Sequence, residues 1–253
     1  MPSQSYLLPL TYDITFEINE DGKTFSGSER IDIEITNELN VIVLHCVGLK
    51  VNNVKFNDDS VEKVSYEENS QTVTLHVAAQ ESTKSSISLD FAGEINDHCS
   101  GIFSGTIDSH EYWATHFEPL KARFAFPCFD EPELRASFTL HLITQNSGQA
   151  VSNSPIEKIE ILSNGSRKVS FQETPPMSTY LLAFLVGDFD KKSYDANDIQ
   201  LNIWTTPDVL DQLDFAGDVA AKSLEFLKNT FNIKYPLVKL DICGIPNFEK
   251  SGM

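Results

Sequence analysis

The sequence predicts a mainly β chain, an antiparallel sandwich or a set of saddle-shaped sheets over residues 1–205, followed by one helix and one strand over 206–253. Three observations predict it. Apolar and polar residues alternate with period two through the first two hundred residues, as half-buried strands require. Clusters of Asn, Asp, Ser and Gly punctuate those runs. After Trp204-Thr205-Thr206-Pro207 the spacing changes to that of a helix.

Taken in order, Tyr12, Ile14, Phe16 and Ile18 share one strand face, and an Asp21-Gly22 turn leads to a second run carrying Phe25, Gly27, Ile31, Ile33 and Ile35. Further runs are Val41 to Val47, Val73-Leu75-Val77, Ile87-Leu89-Phe91, Phe138-Leu140-Leu142, Val169-Phe171 and Leu201-Ile203. Tyr180 to Val186 is continuously apolar and predicts a fully buried strand. Asn164-Gly165-Ser166 matches a glycosylation sequon but reads as a tight hairpin turn. Beyond residue 205, Ala216, Ala220, Leu224, Leu227 and Phe231 predict the core-facing side of a helix. Asp208, Asp211 and Asp214 load its early turns, where the helix dipole favours negative charge. Val238 to Cys243 alternates as one more strand. The last 48 residues are too few to bury a core alone and read as the opening of a second domain.

Charge narrows the function. The formal net charge is −18, which argues against nucleic-acid binding, since phosphate contacts need clustered Lys and Arg. No apolar run reaches the roughly 18–20 residues that a membrane helix needs, and the N-terminus lacks the basic and apolar regions of a signal peptide. Cys46, Cys99, Cys128 and Cys243 are widely spaced and form no CxxC, so reduced thiols in a cytoplasmic protein are expected.

The segment HEYWATHFE, His110 to Glu118, begins like the zinc motif HExxH, but its two histidines are six residues apart. On a helix they would point about 120° apart. On a strand they would sit about 20 Å apart, far beyond bonds of about 2 Å to one ion. The composition predicts a strand, not a metal site. Continuing from it, residues 114–138 carry Pro119, Pro127 and Pro132 among aromatics and charges, which predicts a rigid looping segment at a sheet edge. Asp130 and Glu131 are adjacent and would face opposite ways, so a turn or cap role is expected for Asp130 rather than paired acid chemistry. Glu118 stands before Pro119 at a strand end. Such a carboxylate is either a solvated side chain or, facing a cleft, a holder of a cationic group.

The ordered set of Leu8-Pro9, Phe117-Glu118, Ala122-Arg123, Phe126-Pro127-Cys128-Phe129-Asp130-Glu131-Pro132, Pro176-Met177-Ser178-Thr179-Tyr180 and Tyr235-Pro236-Leu237 resembles one family. It is similar to the zinc-dependent aminopeptidases of the aminopeptidase N and puromycin-sensitive aminopeptidase type, the gluzincins. The resemblance implies an N-terminal saddle of β-sheets followed by the first elements of a thermolysin-like catalytic domain. It implies peptide substrates with a free N-terminus, removal of their first residue, and the remainder of the catalytic domain as partner. Zinc is the implied cofactor, with its ligands beyond Met253, so residues 1–253 alone are expected to be inactive.

The resemblance also implies substrate-binding positions. The family's Gln-x-Glu segment falls on His116 and Glu118, and the first three positions of its Gly-Ala-Met-Glu-Asn loop fall on Ser251, Gly252 and Met253. No catalytic residue is expected in this chain. Two departures stand out: His116 replaces a neutral amide with a group that can become cationic near pH 6.5, and Ser251 adds a Cβ where backbone approach is close. They motivate an alternative reading, a non-hydrolytic binder of peptide or nascent-chain N-termini on the same fold.

Overall fold

In the computed structural model of this chain, which describes residues 6–61, 63–80, 83–107, 110–145, 148–196, 199–246 and 248, the alternating runs become strands. The first hairpin joins β1 (Leu7–Ile18) to β2 (Thr24–Ile35). Its turn is set by Asp21, whose Oδ1 accepts the Lys23 and Thr24 backbone N–H groups at 2.9 Å each, and by Gly22 at φ +63°. Pro9, which has no N–H to donate, sits at a register shift of β1.

The chain continues through β3 (Leu39–His45), β4 (Lys50–Phe56), β5 (Asp59–Ser60), β6 (Lys63–Glu67), β7 (Thr72–Gln80) and β8 (Thr83–Glu94). Next come β9 (Gly101–Ile107), β10 (His110–His116), β11 (Ser137–Thr144), β12 (Gln149–Ser152), β13 (Ile156–Ile161), β14 (Arg167–Phe171) and β15 (Phe184–Gly187). Then follow β16 (Asp190–Ala196), β17 (Ile199–Thr205), helix α1 (Leu213–Phe231) and β18 (Lys239–Cys243).

An eight-stranded sheet runs β13-β14-β11-β1-β2-β8-β4-β5, with β1 and β11 parallel and every other neighbour antiparallel. Three smaller sheets, β12-β15-β10-β9, β3-β7-β6 and β16-β17-β18, complete the mainly β architecture. The inward faces of β1, β2, β8 and β11 supply much of the main core, together with β3, β4, β7 and the segment around Phe126. Tyr12 stacks on Phe138 with centroids 4.9 Å apart, and Phe16 meets Phe91 and Phe126 edge-on. Each such ring removed from water contributes roughly 1.5–3 kcal/mol. One member of this face is a carboxylate. Glu29 is 4% exposed, and neither of its oxygens has a hydrogen-bond partner among the described residues.

The proline-rich segment 114–138 meets a sheet edge at Cys128, as predicted, and residues 122–130 are buried apart from the half-buried Phe124. Cys128 forms an antiparallel bridge with His45 at the end of β3, through bonds of 2.8 and 3.0 Å. Asp130 is more than a turn acceptor: it is the hub of an interior polar network. Its Oδ2 accepts from Arg123 Nε at 2.9 Å, its Oδ1 from Thr179 Oγ1 at 2.7 Å, and its backbone oxygen from Arg123 Nη2 at 3.2 Å. Gln71 accepts the guanidinium's Nη1, and Asp130 N–H donates to His45 Nδ1. Burial, then the nearby Arg123 charge, lowers the His45 pKa, which keeps that ring nitrogen an acceptor.

The same network corrects the strand expected from Tyr180 to Val186. Thr179–Leu181 is a 3-10 turn, Leu181 is 41% exposed, and β15 starts only at Phe184. The hydroxyl of Thr179 is held by Asp130 and that of Ser178 by the Pro132 carbonyl, so tertiary bonds override the apolar run. At Asn164-Gly165 the predicted hairpin is present: Gly165 has φ +86°, and Asn164 Oδ1 accepts from Ser166 N and Oγ.

The helix begins later than its sequence suggests, and only part of the predicted face turns inward: Ala220 and Leu224 pack in, whereas Ala216, Leu227 and Phe231 stay exposed. Residues Pro207–Gln212 form a 3-10 segment before α1. Leu213 and Gly217 are buried with Ala220, Ala221 and Leu224 packed behind, whereas Leu227 and Phe231 are 48% and 65% exposed. The reason is Gly217, against which the Tyr194 ring lies so closely that an added Cβ would fall 2.2 Å from it. Gly217→Ala is therefore expected to destabilise by about 1–3 kcal/mol, even though Ala favours helices over Gly by about 1 kcal/mol. A denaturant midpoint equal to or above that of the parent would refute this. Through β17, α1 and β18 the chain makes a parallel crossover, so hydrogen bonds of this last sheet join residues on both sides of position 205.

Candidate functional site

The site is built from the bottom of β10 upward. Trp113 donates from Nε1 to Gly22 O at 2.9 Å, which pins β10 to the tip of the first hairpin. Thr115 Oγ1 accepts from Phe184 N at 2.9 Å, extending the β10–β15 ladder by a side chain. Phe117 is fully buried against Phe126. With both flanks fixed, β10 ends at His116, and Glu118 follows two residues on, exposed and joined by a cis bond to Pro119. Its carboxylate makes no hydrogen bond or ion pair among the described residues. The chain then turns, with Lys121 N–H donating to Phe117 O, into the segment held by Arg123 and Asp130.

His116, two residues earlier, is 4% exposed, and its ring meets Phe248 edge-on at a centroid separation of 5.7 Å. Tyr112, one strand turn further back, donates its hydroxyl to Pro246 O at 2.7 Å. The strand that leads to Glu118 therefore also holds the segment that follows β18. Ser251, Gly252 and Met253 lie outside the described residues, three to five positions beyond Phe248. Sequence reasoning had missed Tyr112 and Phe248. Only an aromatic at each position was visible, with nothing in the sequence to pair them across more than a hundred residues.

Between β12, β15 and β18 lies a cavity of about 640 Å³, lined by Thr115, Ser152, Phe184, Tyr235, Lys239 and Phe248 among others. Lys239 donates to Ser152 O at 2.6 Å and pairs with Asp241. Asp241 also accepts from Asn202 and from Trp204 Nε1. Burial, followed by Asp241, pushes the Cys243 thiol up to about 12, so it stays protonated and unreactive. All four cysteines are free. Among the described residues no group of three or more His, Cys, Asp or Glu side chains is arranged to hold a metal ion. No helix among them is long and apolar enough to cross a membrane.

Residues 8–181 match the model of the peptidase M1 N-terminal domain. The chain belongs to the peptidase M1 family. As an M1 N-terminal domain it is 35% identical over 251 residues to aminopeptidase 2 of Candida albicans, covering 97% of this chain and 27% of that protein. It is 33% identical over 260 residues to the mitochondrial aminopeptidase 2 of Saccharomyces cerevisiae (98% and 27%). Endoplasmic reticulum aminopeptidase 1 of Homo sapiens is 30% identical over 263 residues (98% and 28%). This M1 chain thus spans little more than a quarter of the length of these relatives, all of them named aminopeptidases.

Proposed function

We propose that this chain is the N-terminal part of a zinc-dependent aminopeptidase, and that Glu118 receives the α-ammonium group of a peptide substrate. Zinc and its ligands belong to the continuation of the catalytic domain, and the chain by itself is not expected to hydrolyse peptides. The single observation that carries the reading is the placement of Glu118. It is an exposed carboxylate without an internal partner among the described residues, just past the end of a strand braced on both sides and touching the segment after β18. A peptide N-terminus is a cation. A carboxylate fixed at the end of a rigid strand can hold it and so set which peptide bond reaches the reacting centre. His116 lines the same end of β10, and the backbone of Ser251, Gly252 and Met253 would run alongside the substrate. The net charge of −18 favours approach of a cationic group.

A desolvated charge-assisted contact is worth roughly 1.5–3 kcal/mol, which corresponds to about a ten- to hundredfold effect. In the intact enzyme, Glu118→Ala is expected to lower kcat/KM on aminoacyl reporter substrates by that factor. Glu118→Gln should recover little of it, since the charge is what the ammonium needs. Unaltered kinetics in both variants would remove Glu118 from the site. A binder without turnover would show the same dependence in the affinity for peptides with free, but not acetylated, N-termini.

A further inference from the structure

Tyr112 occupies an unusual place in its sheet. Both of its cross-strand neighbours are glycines, Gly105 on β9 and Gly187 on β15. Neither could carry a side chain here. A Cβ on Gly105 would fall 2.3 Å from the Tyr112 hydroxyl oxygen, and one on Gly187 would fall 2.9 Å from the Tyr112 Cβ. Two bare positions let the ring lie across the sheet instead of standing away from it. It rests edge-on to Phe189 and is only 5% exposed. The buried phenol still finds an acceptor, the Pro246 carbonyl at 2.7 Å. One residue past Ile245, that carbonyl belongs to the turn in which Phe248 N–H donates back to Ile245 O. Phe248 in turn sits against His116 and Phe103. Thus β10 grips the turn at two points four residues apart, Tyr112 and His116, and Glu118 follows two residues beyond its end.

We infer that Tyr112 is a positioning residue for amine recognition: its hydroxyl ties the turn after β18, through Pro246, to the strand that leads to Glu118, so that the turn and the carboxylate keep one register. The inference rests on the reading of Glu118 given above and extends it to a residue that touches no substrate. In this geometry the glycines at 105 and 187 are the space that the clamp occupies, and losing the hydroxyl leaves Pro246 O without its buried donor. The ring and its packing stay in place, so the defect is one of registration and not of folding.

The test is Tyr112→Phe in the intact enzyme, alongside Glu118→Ala. Loss of one hydrogen bond to the turn is expected to raise KM for aminoacyl reporter substrates about five- to tenfold, with kcat within about twofold and the thermal midpoint unchanged. Gly105→Ala, which drives a Cβ into the hydroxyl's position, should raise KM in the same direction without altering Tyr112 itself. If Glu118→Ala raises KM and Tyr112→Phe does not, the positioning role is overturned while the reading of Glu118 stands. If kcat, KM and the thermal midpoint all deteriorate together in Tyr112→Phe, Tyr112 is merely structural and the inference also fails. If Glu118→Ala leaves kcat/KM unchanged, the reading beneath it falls, and the inference with it.

Discussion

Asp130→Ala is expected to cost about 3–5 kcal/mol of folding stability, enough to unfold many domains of ordinary stability. The magnitude comes from what is left behind. Arg123 has a side chain 10% exposed and Asp130 one 1% exposed, so the variant strands a guanidinium where water hardly reaches. Thr179 and the backbone of Arg123 lose acceptors at the same stroke. Asp130→Asn keeps the volume but not the charge and should be nearly as harmful. The double variant Arg123→Met/Asp130→Ala should recover much of the loss, because a buried ion pair can be replaced by apolar packing more cheaply than it can be halved. Urea denaturation of the parent, Asp130→Ala, Arg123→Met and the double variant measures the cycle. A single-variant loss under about 1 kcal/mol, or a double variant worse than either single, would contradict this account of the network.

The second large effect depends on pH. Glu29 lies on the inward face of β2 between Gly27 and Ile31, and burial raises its pKa well above the usual carboxylate range. It in turn helps to raise the pKa values of Tyr12, Cys46 and Cys128, burial being the larger cause for each. The folded chain therefore keeps a proton that the unfolded chain releases. Below about pH 4.3 both states hold it and the group makes no difference. As pH rises from there towards the raised folded value, the unfolded state gains by ionising, and stability falls by up to about 1.4 kcal/mol per pH unit. Glu29→Gln removes this slope, so the variant should overtake the parent increasingly between about pH 4.5 and 7. Comparing variant with parent cancels the opposite contributions of Asp13 and Asp21, whose pKa values are lowered, Asp13 chiefly by His141 and Asp21 by backbone N–H groups. Parallel pH profiles of the two urea midpoints would show that Glu29 ionises freely in the folded chain.

Glu29 also marks how far the amino-acid pattern can be read. Period-two alternation correctly assigned Phe25, Ile31, Ile33 and Ile35 to the core, yet a polar residue in the same run falls on the same face because the pleat admits no other choice. The turns at Asp21-Gly22 and Asn164-Gly165 were visible because their chemistry is local. The inward face of α1 as a whole was not, since it is decided by Tyr194, a residue on another element that needs the space at Gly217. Nor was the exit of Thr179 and Leu181 from a strand, which follows from a bond to Asp130 almost fifty residues away in sequence. The strand leading to Glu118 was visible from its composition. The juxtaposition of that strand with residues 244–248 was not, because a hydrogen bond from Tyr112 to Pro246 leaves no mark at either position.

The parallel pairing of β1 with β11, Thr11 opposite Ser137 through Glu17 opposite Ile143, has a temporal consequence. During synthesis β1 can zip to β2 almost as soon as both emerge, but its other flank stays bare until more than a hundred further residues have left the ribosome. In that interval a twelve-residue strand offers unpaired amides and carbonyls to any neighbouring nascent chain. The polypeptide thus matures late, when β11 arrives to seal the seam, and until then its protection falls to whatever binds it in the cell.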